Sequence, residues 1–272
     1  MKMTFTMMAM LLSLVCVAPA QTNRVDEVAV KPLPTMDFVL QQMAARAVGK
    51  EDDNDNLFTM NYQYNRVRTW VYRDNQGEVK SREEKNTVEN KPLSLAAAAQ
   101  TGTEPVPTTV ANDKLVSAMR SNMPRKAMKV KNYSIPELVK RFQFTLVGRE
   151  MLNGRLTLMA DFKPASDDLP VKNFADKFIN QATGRVWVDE EDYAVAQTQL
   201  HLIQPVNVLG GLAGTVRKLN YGFTRVRTPE GYWFARNTHW HLEGREVVIN
   251  RIIDYHEQKT NELKIVTTAT TR

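Results

Sequence analysis

Cysteine is all but missing from this chain: Cys16 is the only one, and it lies inside the first apolar run. Everything after it is barred from disulfides, thiolate nucleophiles and cysteine–metal sites. Histidine is scarce as well, with four in 272 residues, so imidazole bases and ligands are few. No G-x-S-x-G, P-loop or H-E-x-x-H pattern occurs, which removes the commonest sequence signs of hydrolase, nucleotide-binding and zinc-peptidase chemistry. A second long apolar stretch is lacking too. Lysine and arginine are scattered, and the formal net charge of +6 is spread along the chain. A diffuse basic balance of that kind argues against a nucleic-acid partner and leaves a weak attraction to anionic lipid head groups.

What is present begins with one positive side chain, Lys2, and an uncharged run from Met3 to Ala20. Its apolar part, Met7 to Val17, falls short of the ~20 residues that span a bilayer. The run ends in Ala18-Pro19-Ala20, the small-x-small pattern read by signal peptidase. Residues 1–20 are therefore expected to be a cleaved signal peptide, with Gln21 as the first mature residue. A lipid-attached form is not expected, because Ser13-Leu14-Val15 ahead of Cys16 lacks the leucine and the small residue such a site wants there. Residues 21–272 are expected to form a single domain held together by its core.

Residues 35–48 have helical spacing, with Phe38, Val39, Met43 and Ala47 as the buried stripe and Gly49 as the stop. Residues 51–56 read as an acidic loop. Tyr62, Tyr64, Arg66, Arg68, Trp70 and Tyr72 share one face of a strand, and Asp74-Asn75-Gln76-Gly77 turns it into a more polar partner over residues 78–88. From 91 to 128 the pattern dissolves into alanines, threonines and prolines, read as a mobile insertion. Ser134-Ile135-Pro136-Glu137 is a capping box that opens a short helix. The clearest hairpin follows: Phe142, Phe144 and Leu146, the turn Asn153-Gly154, then Leu156, Leu158, Ala160 and Phe162. After a helical turn at 174–179 come strands at 185–189, 193–203, 219–227, 232–242 and 246–255. The segment 205–215, apolar with three glycines, reads as a flexible loop. With no βαβ pattern, the chain is mainly β (α+β), a curved antiparallel sheet with two or three short helices on one face.

Several polar groups invite a chemical reading, and each has a plainer one. His239 and His241 point to the same side of a strand and could offer two metal ligands, but a solvated strand face explains them as well. Asp52, Asn54 and Asn56 open like a calcium loop, yet Leu57 and Gln63 stand where Gly and Glu are required. Glu190-Glu191-Asp192 sits on a tight turn with no apolar neighbour among its members to raise a pKa. No catalysis, cofactor or metal is expected.

The apolar faces are the informative feature. Phe142, Phe144, Leu146, Leu156, Leu158 and Phe162 form one; Ala194, Ala196, Thr198, Leu200 and Leu202 form a second; Phe234, Trp240 and Leu242 form a third. Periodicity by itself favours a packed core. The width of the sheet against its short helices favours a lined cavity for an acyl chain or a greasy peptide. The candidate ligand-binding residues are Phe142, Phe144, Leu146, Leu156, Leu158, Phe162, Leu200, Leu202, Phe234 and Trp240.

Four stretches resemble the periplasmic lipoprotein-carrier-like half barrels of the LolA, LolB and RseB type. They are Met36-Asp37-Phe38-Val39-Leu40, the hairpin running from Phe144 through Gly154 to Arg155, Gly184-Arg185-Val186-Trp187-Val188-Asp189, and Gly231-Tyr232-Trp233-Phe234. The likeness covers roughly residues 38–255 apart from the insertion. The resemblance implies a half barrel of about eleven strands whose helices cover the concave face over a hydrophobic cavity. It also implies a periplasmic, non-catalytic protein of the cell envelope that binds lipid or lipoprotein acyl chains, of the outer-membrane lipoprotein-sorting type. An RseB-like stress sensor acting on a membrane-bound anti-sigma factor is the alternative. The early carrier motif of LolA itself is absent, and neither Arg66 nor Arg68 can be matched to an arginine that ties strand to lid.

Overall fold

The computed structural model describes residues 32–48, 54–90, 133, 135–208, 214–246 and 248–265. The expected signal peptide, the insertion at 91–128 and the glycine-rich segment 209–213 lie outside the described residues. The described elements from Pro34 onward belong to one unit, Pro34–Arg272.

In chain order they are α1 (Met36–Val48), α2 (Asn54–Asn61), β1 (Tyr62–Arg73), β2 (Val79–Glu89), α3 (Ile135–Val139), β3 (Phe142–Leu152), β4 (Arg155–Pro164) and α4 (Phe174–Ile179). Then follow β5 (Ala182–Asp189), β6 (Val195–Leu202), β7 (Val206–Val208), β8 (Gly214–Arg227), β9 (Trp233–Glu246) and β10 (Ile249–Lys264). All ten strands join one antiparallel sheet in the order β2-β1-β10-β9-β8-β6-β5-β4-β3, with β7 paired to β8 beside that path. The sheet does not close, and the fold is a curved half barrel, mainly β with short helices. Ten strands and four helices among the described residues stand against an expectation of about eleven and two or three.

The local reasons are visible. Thr35 caps α1 by accepting the Phe38 N–H on its side chain. Val39 and Met43 then face inward and are buried, whereas Phe38, expected in the same stripe, is 43% exposed and meets the ring of Tyr193 edge-on. Asn153 and Gly154 both take positive φ, 51° and 78°, the type I′ geometry that matches the twist of the β3–β4 hairpin. At α4, Asn173 and Asp176 exchange the two bonds of a capping box.

Four expectations give way. Of the expected acidic loop at 51–56, residues 51–53 lie outside the described residues and 54–56 open α2. Phe58 of α2 is fully buried and stacks on Phe234 with ring centroids 3.7 Å apart. Residues 206–208, expected as loop, form β7. Glu243-Gly244 does not turn the chain: β9 runs through it to Glu246, and β10 continues to Lys264. Gly244 stays in the strand because the sheet is crowded there, its position lying 2.8 Å from Thr215 backbone oxygen for any added Cβ. Last, the face assigned to Ala194, Ala196, Thr198, Leu200 and Leu202 is broken by a bulge opposite Trp187 and Val188. One extra residue reverses the alternation. Val195 joins Val188 in the main cluster, while Ala194 and Ala196 pack with Trp233 and Leu152 in another.

Candidate functional site

Register places the apolar residues in rows that cross the whole sheet. One row runs Phe144, Phe162, Gly184, Leu200, Tyr221, Trp240, Tyr255, Trp70 from β3 to β1. At one end it is flanked by Leu146, Ala160 and Val186, and at the other by Leu219, Leu242, Ile253 and Tyr72. Gly184 interrupts the row because any Cβ there would lie 2.0 Å from the Gln199 backbone oxygen. Nine strands at the usual spacing span roughly 38 Å. Helix α1, with 13 residues, is about 20 Å long and about 10 Å across, so it covers only part of that width.

The face divides into two clusters. Over β3–β6, Val39 and Met43 of α1 pack on Phe142, Leu158, Ala160, Phe162, Ala182, Val186 and Val188. Over β1 and β8–β10, Trp70, Val216, Leu219, Trp240, Leu242, Ile253 and Tyr255 form the second, where Phe178 of α4 is the one helical side chain among the described residues that packs on it. The ten candidate residues are spread accordingly. Phe142, Leu158 and Phe162 are buried in the first cluster, with Phe144, Leu146 and Leu200 only partly buried against it. Trp240 is buried in the second, with Leu202 partly buried beside it. Phe234 lies 1% exposed in an aromatic cluster with Phe58, Tyr62 and Tyr64. Leu156, near the hairpin tip, is 44% exposed and stands apart from the rest.

Sequence reasoning did not find the ionic strip that crosses this face at β1 and β10. Arg66 Nη2 lies 2.7 Å from Glu257 Oε2, and the Tyr255 hydroxyl donates to the same oxygen at 2.6 Å. Burial pushes the Glu257 carboxyl up, but the Arg66 guanidinium and the Tyr255 hydroxyl outweigh it and hold the group below its ordinary value. The Tyr255 hydroxyl is pushed up by burial and by Glu257, and burial, with smaller pushes from Asp55 and Glu257, takes Tyr221 to about 12. The alternation of Arg66 and Arg68 with Val67 and Thr69 was the available signal; the partner of Arg66 lies 191 residues away in sequence.

The opposite face of the sheet is polar. A broad concavity of roughly 910 Å³ opens there, lined by Thr145, Asp161, Arg185, Gln199, Asn220 and His239 among others. His241 is held between Asp254, 2.6 Å from Nδ1, and Glu243, 2.9 Å from Nε2. His239 instead stacks on His256 with centroids 6.2 Å apart, and burial, then the neighbouring His256, lowers its pKa. Among the described residues no group of three or more metal-ligating side chains is gathered. The carboxylates around the 190–192 turn are tied into structure: Glu190 pairs with Arg149, Asp189 with Arg155, and Asp192 with Arg227 and the Trp233 indole.

No family model and no curated protein matches the sequence. The chain is similar, at low identity, to several solved structures. One is an outer membrane lipoprotein-sorting protein domain from Vibrio parahaemolyticus, at 10% identity and a TM-score of 0.30 over 84% of this chain and 94% of that one. A second is a LolA superfamily protein from Nitrosomonas europaea, at 7% and 0.30 over 86% and 95%. A third is the MucA/MucB complex of Pseudomonas aeruginosa, at 8% and 0.24 over 80% and 94%.

Proposed function

We propose that this is a non-catalytic periplasmic binding protein, exported by its leader, that holds a lipid or the acyl chains of a lipoprotein on the covered apolar face, in the manner of lipoprotein sorting. The observation that carries the reading is the set Phe144, Leu146, Leu200 and Leu202, which keep part of their surface open beside a fully packed floor. Acyl chains need such a dry, shaped wall and no directional partners. Phe142, Leu158 and Phe162 act as its rigid backing, and Trp240 and Phe234 extend the apolar surface toward β1. Equilibrium binding of a fluorescent acyl probe tests this. Wild type is expected to bind it saturably, and Leu200→Gln to weaken binding with little change in melting temperature. A wild-type protein that never binds the probe, and carries no lipid in native mass spectra when purified from its own envelope, removes the reading. A regulatory contact with a membrane-associated protein would then be the better account.

A further inference from the structure

The ionic strip has a composition that packing does not require. Arg66 stands directly across from Lys259, and Arg68 across from Glu257. Like charges placed opposite one another on neighbouring strands repel, and removing water strengthens the repulsion. Glu257 already serves both Arg66 and Tyr255. Lys259 makes no ion pair among the described residues; its ammonium lies 5.7 Å from the Tyr64 ring centroid and 5.9 Å from that of Phe58. Cation–π attraction offsets part of its lost hydration. Burial, with Arg66 and Arg225 adding to it, pulls its pKa down against the pull of Asp55 and Glu257. Arg66 is 6% exposed, and among the described residues neither Arg66 Nε nor Arg68 Nε meets an acceptor. Arg68 Nη2 reaches Thr87 at 3.4 Å and Glu89 at 3.8 Å. Yet two buried Nε donors without an acceptor, beside a Lys259 without an ion pair among the described residues, are costly features to keep. Such a set of donors suits an anion.

The strip's place on the face indicates what carries the anion. Trp70, Tyr255 and Trp240 lie on one side of it, and Phe58, Tyr64 and Phe234 on the other. We propose that Arg66, Arg68 and Lys259 form a site for a compact oxyanion, a carboxylate or a phosphate, at the end of an apolar chain lying on the covered face. The inference rests on the acyl-chain reading above and narrows it to anionic amphiphiles. The two Nε–H groups and the ammonium are the donors such a group would engage, and the oxyanion neutralises the repulsion between Arg66 and Lys259.

Competition against the fluorescent acyl probe at low ionic strength tests the site, using palmitate and hexadecanol below their aggregation concentrations, with calorimetry on inorganic phosphate as a third arm. Wild type is expected to prefer palmitate over hexadecanol by about tenfold or more, since a charge-assisted contact is made only by the acid. Arg68→Gln and Lys259→Met are expected to bring the two ligands close to parity while leaving hexadecanol affinity unchanged. Lys259→Met should also raise the melting temperature, because it relieves the repulsion; a packing lysine would lower it and leave the preference intact. Equal binding of acid and alcohol by wild type overturns the anion site and spares the acyl reading. Binding of neither overturns both. Phosphate binding that matches palmitate, and is lost in Lys259→Met, replaces the amphiphile with a free oxyanion.

Discussion

Asp176 has no exposed surface, and it accepts from the Tyr133 hydroxyl at 2.5 Å, from the Lys172 N–H at 2.6 Å and from the Asn173 N–H at 2.9 Å. Arg141 Nη2 lies 2.7 Å from it. Burial alone would raise its pKa, but these four partners together hold it below the ordinary value. Asp176→Asn keeps most of the shape and strands the Arg141 charge, so it should cost about 3 kcal/mol in urea unfolding. Tyr133→Phe removes one neutral donor and should cost nearer 1 kcal/mol. At this scale the sequence was only half legible. The capping pair Asn173 and Asp176 is local, three residues apart, whereas Arg141 arrives from β3's leading edge and Tyr133 from before α3. The Arg66–Glu257 pair was hidden for the same reason, since no pattern within β1 reports a partner on β10.

Elements whose reasons are local were the ones that could be read. The β3–β4 hairpin has alternation on both strands and a turn that demands left-handed φ, and it forms as expected. Helix α2 was missed because Asn54–Asn61 is short and mostly polar; its one anchor, Phe58, gains its meaning from Tyr62, Tyr64 and Phe234. The outer half of β10, His256–Lys264, alternates too weakly to be seen, since its role is to pair with β1 rather than to bury a face. The bulge opposite Trp187 left no mark in composition, and it moved Ala194 and Ala196 off the expected wall. The candidate site inherits these limits: its rows were visible strand by strand, but not which residues helix α1 would cover. That cover separates two variants. Leu158 is fully buried beneath α1, so Leu158→Ala should cost ~2–5 kcal/mol, whereas Leu200→Ala, at a partly open position, should cost clearly less and chiefly weaken the acyl probe. Guanidinium unfolding of the two variants, set beside their probe affinities, gives the ordering.

Across the whole molecule, buried carboxylates set the acid limit. Asp176 and Asp189 are both 0% exposed, and Glu257 is 5% exposed. Each is held below its ordinary 3.8 or 4.5 despite the opposing effect of burial. The unfolded chain thus takes up protons first, so the stability these groups add is complete above about pH 5 and drains as pH falls through their folded values. Melting temperature should be flat from about pH 8 to 5 and fall steeply below about 4, and Asp189→Asn should make that fall shallower. The sheet order has a further consequence, one of timing. Trp70 pairs with Tyr255 and Arg66 with Lys259, so the first hairpin of the described strands is seated by the last of them in sequence. Loop closure over that separation comes before any reward, so the joining of β1 to β10 is expected to be slower than the pairing of strands adjacent in sequence. Until then the β10-facing edge of β1 is left unpaired. On its other side β1 is paired with β2, whose Lys80, Arg82, Glu83, Glu84 and Lys85 are all exposed and discourage pairing of that outer edge with another chain.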